Sequence, residues 1–419
     1  MKTSPLLSFV TKYVTIVSVI FSISAAVDTA RAEKSHSVQP PEGPHTIWPL
    51  QHRLGCTHTA GTYNFTDEDY LNEGAEVILD AGMRVFKGYL TKPDIYYRFN
   101  SDWPKRFDNL VEMADYKYYK ELFRKPFSSF VLTTYSTIAD GGERKFTQYS
   151  EENLQTVTRE FYELSKYLLN EYRGTGKIFV LQNWEGDWAL RNNFTLKPEG
   201  DPGPEAIEAM IKWTNARQAG VDKARKEVTD TDVKVYHALE VNRVDISLQD
   251  RPSVTNNVLP QTRCDLYSYS AYDSIGKAVD DPAKGRALFR KSLNYIAEKA
   301  PDSKAFGSKN IFIGEFGWPQ IRTEKDPHVS PAKQMNVLRT VVDIAIPWGC
   351  PYVIYWEVFD NEALVKDKRP TTDEVRGFYL IGPDGEPGVA WHYFRTLLPE
   401  TRSLNEDPGF SIPEDKETQ

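Results

Sequence analysis

Cysteine is scarce in this 419-residue chain: Cys56, Cys264 and Cys350 are the whole set. An odd count excludes complete pairing within the chain. Each falls at or beside a predicted strand, which favours buried small residues over a disulfide. Histidine is sparse too, with seven in all. There is no His-x-His and no HExxH, so the paired ligands of a metal-dependent hydrolase are missing and no cofactor is expected. A Gly-x-Ser-x-Gly nucleophile elbow is also absent. The formal net charge is −8 and no basic block occurs, which argues against a nucleic-acid partner. After Val27 no apolar run is long enough to cross a bilayer.

What is present begins with an address. Lys2 and Lys12 precede an apolar run from Tyr13 to Val27, and Ala30-Arg31-Ala32 matches a small-x-small cleavage site. Residues 1–32 are therefore expected to be a signal peptide, and the protein secreted or periplasmic. Residues 33–46 are polar and Pro-rich, a flexible lead-in. Residues 399–419 read as a loose acidic tail. Asn64-Phe65-Thr66 and Asn193-Phe194-Thr195 are sequons. Aromatics are abundant at 13%, which suits a large core or the stacking of sugar rings.

Between these ends, strand and helix signals alternate. Strands are predicted near residues 53–57, 84–90, 128–135, 178–185, 233–241, 265–271, 311–315 and 352–358. Helical patterns cover 67–81, 150–172, 204–228, 281–300, 331–348 and 390–398, several with a Ser or Thr cap or Pro at the first turn. Past the eighth strand, 377–385 reads as a small hairpin. Eight alternations imply an α/β chain whose parallel strands close into a (β/α)8 TIM barrel over residues 47–398, with its site at the C-terminal strand ends. An open doubly wound sheet would prefer a Gly-rich nucleotide loop after the first strand, and Gly55-Cys56-Thr57-His58-Thr59-Ala60-Gly61 is not one.

Two of the predicted strands end in a carboxylate. Ile311-Phe312-Ile313-Gly314-Glu315-Phe316-Gly317-Trp318 places Glu315 between glycines, and Ile178 to Glu185 ends in Asn183-Trp184-Glu185. A charge closing an apolar run is costly unless a pocket uses it. Alternation predicts that Glu315 shares the barrel-lining face with Ile311 and Ile313, and Glu185 that of Phe179, Leu181 and Asn183. A carboxyl pair at separate strand ends is what glycoside hydrolysis requires. Asp187 and Glu240 are the competing carboxylates. Arg243 beside Glu240 suggests a structural ion pair. Lys87, Asn242, Tyr269 and Tyr272 stand at other strand ends with reach for hydroxyl groups. Trp184, Trp318 and Trp356 offer flat faces.

The pattern resembles glycoside hydrolase clan A, the retaining (β/α)8 hydrolases, over about residues 47 to 398. The Gly-Glu-Phe-Gly stretch is similar to the clan's nucleophile strand, and Tyr355-Trp356-Glu357 to its eighth strand. That resemblance implies Glu185 as acid/base after strand four and Glu315 as nucleophile after strand seven. It also implies Trp356 as the floor of the subsite holding the cleaved sugar, and Tyr269 or Tyr272 beside the nucleophile. The clan usually has asparagine immediately before the acid/base; here Trp184 intervenes, so either the strand bulges or Asn183 does not bind the sugar 2-hydroxyl. The expected substrate is a β-linked oligo- or polysaccharide. A transglycosylase, a non-catalytic carbohydrate-binding barrel and a metal-dependent phosphodiesterase remain as alternatives. Product length, reducing-end release and chelator sensitivity separate them.

Overall fold

A computed structural model describes residues 48–138, 146–191, 200–324 and 326–398. The expected signal peptide, lead-in, acidic tail and Asn193 sequon lie outside the described residues. Eight parallel strands form a closed barrel in sequence order: β1 Leu54–Thr57, β2 Val85–Leu90, β3 Ser129–Thr134, β4 Ile178–Gln182, β5 Lys234–Val241, β6 Leu266–Ser270, β7 Ile311–Phe316 and β8 Val353–Trp356. β8 closes on β1 through Leu54↔Val353 and Thr57↔Trp356. The strands are buried on both faces, which is why they read as apolar runs without clean alternation.

Helices pack around this sheet: α1 Tyr70–Asp80, α2 Leu110–Ala114, α3 Lys117–Arg124, α4 Glu151–Glu171, α5 Gly186–Leu190, α6 Pro204–Glu227, α7 Tyr272–Ile275, α8 Pro282–Lys299, α9 Pro331–Trp348 and α10 Val389–Leu397. Their ends follow local chemistry. Ser150 caps α4 in a reciprocal box with Asn153, behind which Glu151 and Glu152 face the positive end of the helix. Ser330 caps α9, Pro331 opens it and Gly349, at φ +106°, ends it. The two helices α2 and α3 were not predicted, although Asn109 caps α2 and α3 buries Tyr119, Leu122 and Phe123 at helical spacing. The expected hairpin near 377–385 is a turn closed by a single antiparallel bridge, Ile381↔Pro387, and not a strand pair.

Inside the barrel, Val85, Val131, Ile178, Val180, Ala238, Leu266, Phe312, Tyr352 and Ile354 form one closed cluster. These residues fix which face of β2 to β8 points inward. Two residues further along, the same faces change chemistry: Lys87, Gln182, Glu240, Ser268, Gly314 and Trp356 replace the aliphatic layer. This polar layer lies at the C-terminal strand ends. The cysteines are all buried and unbonded to one another. No helix among the described residues is long and apolar enough to span a membrane.

Candidate active site

The inward faces correct two of the alternation arguments. On β7 the lining residues are Phe312 and Gly314, whereas Ile311 and Ile313 pack in the outer core against the helices. Glu315 would follow them outward. It turns inward because the register slips: Tyr269 pairs with Ile313, but the next residue, Ser270, pairs with Glu315. A second slip against β8 sets Ile313 opposite Val353 and Phe316 opposite Tyr355. The extra residue is a bulge, a device that re-aims a side chain. On β4, Phe179 and Leu181 also face outward, with Phe179 stacked on Phe130. The strand ends at Gln182, and Glu185 reaches the mouth as the N-cap of α5 with φ +42°. That conformation costs a non-glycine residue about 1–2 kcal/mol.

Both glycines flanking Glu315 are demanded by close approach. A Cβ on Gly314 would overlap the Ser268 hydroxyl and come within 2.8 Å of Glu240 Oε2. A Cβ on Gly317 would lie 2.5 Å from the Trp356 carbonyl. The Gly-Glu-Phe-Gly stretch is thus the shape of a crowded strand end as much as a chemical signature.

Glu315 is buried, and two donors address it. Lys87 Nζ lies 3.4 Å from Glu315 Oε2 and donates to the Gly314 carbonyl at 2.8 Å. Trp184 Nε1 donates to the same carboxylate oxygen at 3.3 Å. Burial pushes the Glu315 carboxyl up to about 7; Lys87 opposes this, and the nearby Glu240 charge adds to it.

Glu240 is fully buried beneath this pair. Its Oε1 accepts the Glu185 backbone N–H at 2.8 Å. Its Oε2 accepts from Ser268 Oγ at 2.6 Å and Gln182 Nε2 at 3.3 Å, with Lys87 Nζ at 3.7 Å. The expected pairing with Arg243 does not occur: Arg243 binds Asp245 at 2.9 Å. Proximity in sequence misled here, because Arg243 lies beyond the strand while the inward face of β2 supplies Lys87.

The Glu185 side chain is half-buried and lines a cavity of about 340 Å³ with Trp188, Asn242, Ser270 and Tyr272. Tyr272 also feels the charge of Glu315. Its phenol is pushed well above the ordinary tyrosine range by burial first, then by the Glu315 charge, with Glu357 and Glu185 adding less. Asn242 and Asp187 form a backbone clip: Asp187 N donates to Asn242 Oδ1 at 2.9 Å, and Asn242 N to Asp187 Oδ2 at 3.1 Å. Asp187 also accepts Val254 N at 2.9 Å and pairs with buried Arg191 at 3.4 Å. It is a buried tie between loops, which removes it as a rival to Glu185.

Of the remaining expected site residues, Asn183 is buried and spends its Oδ1 on the Glu240 backbone N–H at 3.0 Å. Trp356 is 7% exposed, on the inward face of β8. Trp318 leans over Gly276 just beyond α7 and gives its carbonyl to Gln334 at 2.6 Å. Tyr269 is not in the site. It sits on the outer face of β6, stacked on Phe289 of α8, with its hydroxyl on Asp273 at 2.6 Å and Ser274 at 2.7 Å. Ser270, one residue on and facing inward, lines the Glu185 cavity instead. Gln182 and Ser268 were missed; the two-residue step from Val180 and Leu266 is the signal that finds them.

No family profile and no curated protein sequence matches the chain. Solved structures similar to it include glycoside hydrolases. A GH5_18 protein from Streptomyces cattleya, solved with GlcNAc, is 12% identical; the match covers 85% of this chain and 82% of that one at TM-score 0.49. A family 39 glycoside hydrolase from the gut symbiont Bacteroides cellulosilyticus is 13% identical over 86% of this chain and 65% of its own, at 0.48. A family 5 lichenase from a Caldicellulosiruptor species, in complex with cellotetraose, is 12% identical over 87% and 97%, at 0.49.

Proposed function

We propose that this protein is a retaining glycoside hydrolase acting on a β-linked glycan, with Glu315 as nucleophile and Glu185 as acid/base. The observation that carries the reading is the arrangement around Glu315. A buried carboxylate at the C-terminal mouth of a closed barrel is held by an ammonium and an indole N–H, and a second, half-buried carboxylate lines a cavity with Ser270, the strand neighbour of Glu315. Tyr272 lines the same cavity and feels the charge of both.

The chemistry follows from the two environments. Glu315 attacks the anomeric carbon as Glu185 delivers a proton to the departing glycosidic oxygen, leaving a glycosyl ester on Glu315. Glu185, now a carboxylate, takes a proton from water; that water attacks the anomeric carbon and Glu315 departs as a carboxylate. The two groups need opposite protonation at rest. Lys87 and Trp184 favour the ionised form of Glu315, whereas Glu185 faces a cavity wide enough for a leaving group and water. Glu240 holds the Glu185 backbone in its left-handed turn, and strain kept in place by its surroundings suits a positioned catalytic group.

The test is product stereochemistry on a cleaved glycan, followed by NMR before mutarotation. A β-anomer released first supports retention. An α-anomer released first removes Glu315 as a nucleophile.

A further inference from the structure

Two cavities open on the same C-terminal face, away from the one containing Glu185. One, about 310 Å³, is lined by Thr91 to Ile95 after β2, by Lys105 and Arg106, and by Tyr135 after β3. The other, about 580 Å³, lies between Tyr63 after β1, Arg98 and Phe99 after β2, and residues 365–369 after β8. The segment following β2 contributes to both. The first is tied to the catalytic pair: the Tyr135 hydroxyl accepts the Trp184 backbone N–H at 2.8 Å, and the Trp184 indole binds Glu315.

Their charge runs against the rest of the chain. The whole protein carries −8. Yet the linings include Lys92, Lys105 and Arg106 against Asp94 in one cavity, and Arg98, Lys366, Lys368 and Arg369 against Asp367 in the other. Lys368 is paired with Glu374 at 2.6 Å, and Arg369 is fixed on the Asn64 and Pro383 carbonyls at 2.6 and 3.0 Å. Arg98, Lys105, Arg106 and Lys366 have no carboxylate partner among the described residues. Aromatic faces accompany the cations: Arg98 lies over Phe99 at 4.8 Å, and Arg369 over Tyr63 at 5.7 Å and Phe65 at 4.7 Å. The Glu185 cavity has the opposite balance, with Asp245 and Asp273 beside Arg243.

From this we infer that the substrate is an anionic glycan, bearing carboxylate or sulfate groups, whose charged residues lie across the rim formed by the loops after β1, β2, β3 and β8. Guanidinium groups held over aromatic rings are fixed in orientation, and their planar forks suit the carboxylate or sulfate groups of a sugar. Cations gathered at one rim of a net-negative chain create a local positive potential there, which draws a polyanion to that rim. The inference rests on the hydrolase reading for its reaction, but not for its binding surface.

The experiment therefore separates the two. The Glu315→Gln protein is run through native gels containing alginate, carrageenan, neutral xylan, neutral mannan or polyglutamate, beside an Arg98→Glu/Lys366→Glu derivative whose fold is checked by circular dichroism. The expected result is retardation by alginate (the carboxylate arm) or carrageenan (the sulfate arm), and not by polyglutamate. Retention should weaken about tenfold or more in the charge-reversed derivative and fade with salt. Equal retention by polyglutamate, retention by neutral glycans alone, or no loss on charge reversal overturns it. An acidic glycan bound but left uncut by the wild-type chain supports this inference and counts against the hydrolase. A neutral glycan cut with no acidic one bound does the reverse.

Discussion

Lys87 and Glu315 meet inside the barrel with almost no solvent contact, at 0% and 4% side-chain exposure, their charged atoms 3.4 Å apart. The lysine also reaches Glu240 at 3.7 Å, so one ammonium serves two carboxylates. Removing one member of such a buried set leaves a charge without compensation, which makes the set sensitive to substitution.

That relationship sets the pH dependence. Attack needs ionised Glu315, and burial holds its carboxyl at about 7. Then kcat/KM should fall about tenfold per pH unit on the acid side of that value. Lys87 lowers the Glu315 value and Glu240 raises it. Lys87→Met should therefore move the acid limb to higher pH, and Glu240→Gln to lower pH. Profiles of the three proteins on one substrate check the signs; a limb that moves oppositely, or not at all, removes the Lys87–Glu315 pair from the mechanism.

Glu185→Ala should show a loss that depends on the leaving group. On an unactivated glycan the rate should drop about 10²–10⁴-fold, the usual worth of a positioned acid. On an aryl glycoside with an acidic phenol, glycosylation needs no proton and should be nearly unaffected. Uniform loss across a leaving-group series would transfer the acid role elsewhere, with Glu240 the nearest claimant.

Asp187 is expected to matter for stability and not for chemistry. It accepts backbone N–H groups from Asn242, Arg243 and Val254, at 3.1, 3.3 and 2.9 Å, and faces buried Arg191. Asp187→Ala leaves that guanidinium unpaired and should cost about 3–5 kcal/mol. Denaturant unfolding measures this directly, and a change below about 1 kcal/mol would mean that the clip is not structural.

The barrel was legible because each strand is an apolar run closed by turn residues, and the long helices α4, α8 and α9 carry side-chain caps while α6 opens on a proline. The predicted and observed bounds of α9 coincide, with Ser330 before it and Gly349 after it. The inward face was harder to read. Ile311, Ile313 and Glu315 alternate in sequence, but a bulge near Gly314 breaks the period, and nothing local announces a register slip. Tyr269 was misassigned for the same reason of parity: it faces α8, while Ser270 faces the cavity. Glu240 was matched with Arg243 because neighbours are visible in sequence and cross-barrel partners such as Lys87 are not.

The most direct measurement is reducing-end release from a panel of neutral and acidic β-glycans by the wild-type chain and by Glu315→Gln. The wild type should cleave at least one glycan, and the variant should lose about 10⁴-fold or more of that rate. Equal activity in both would contradict the assignment of Glu315 as nucleophile.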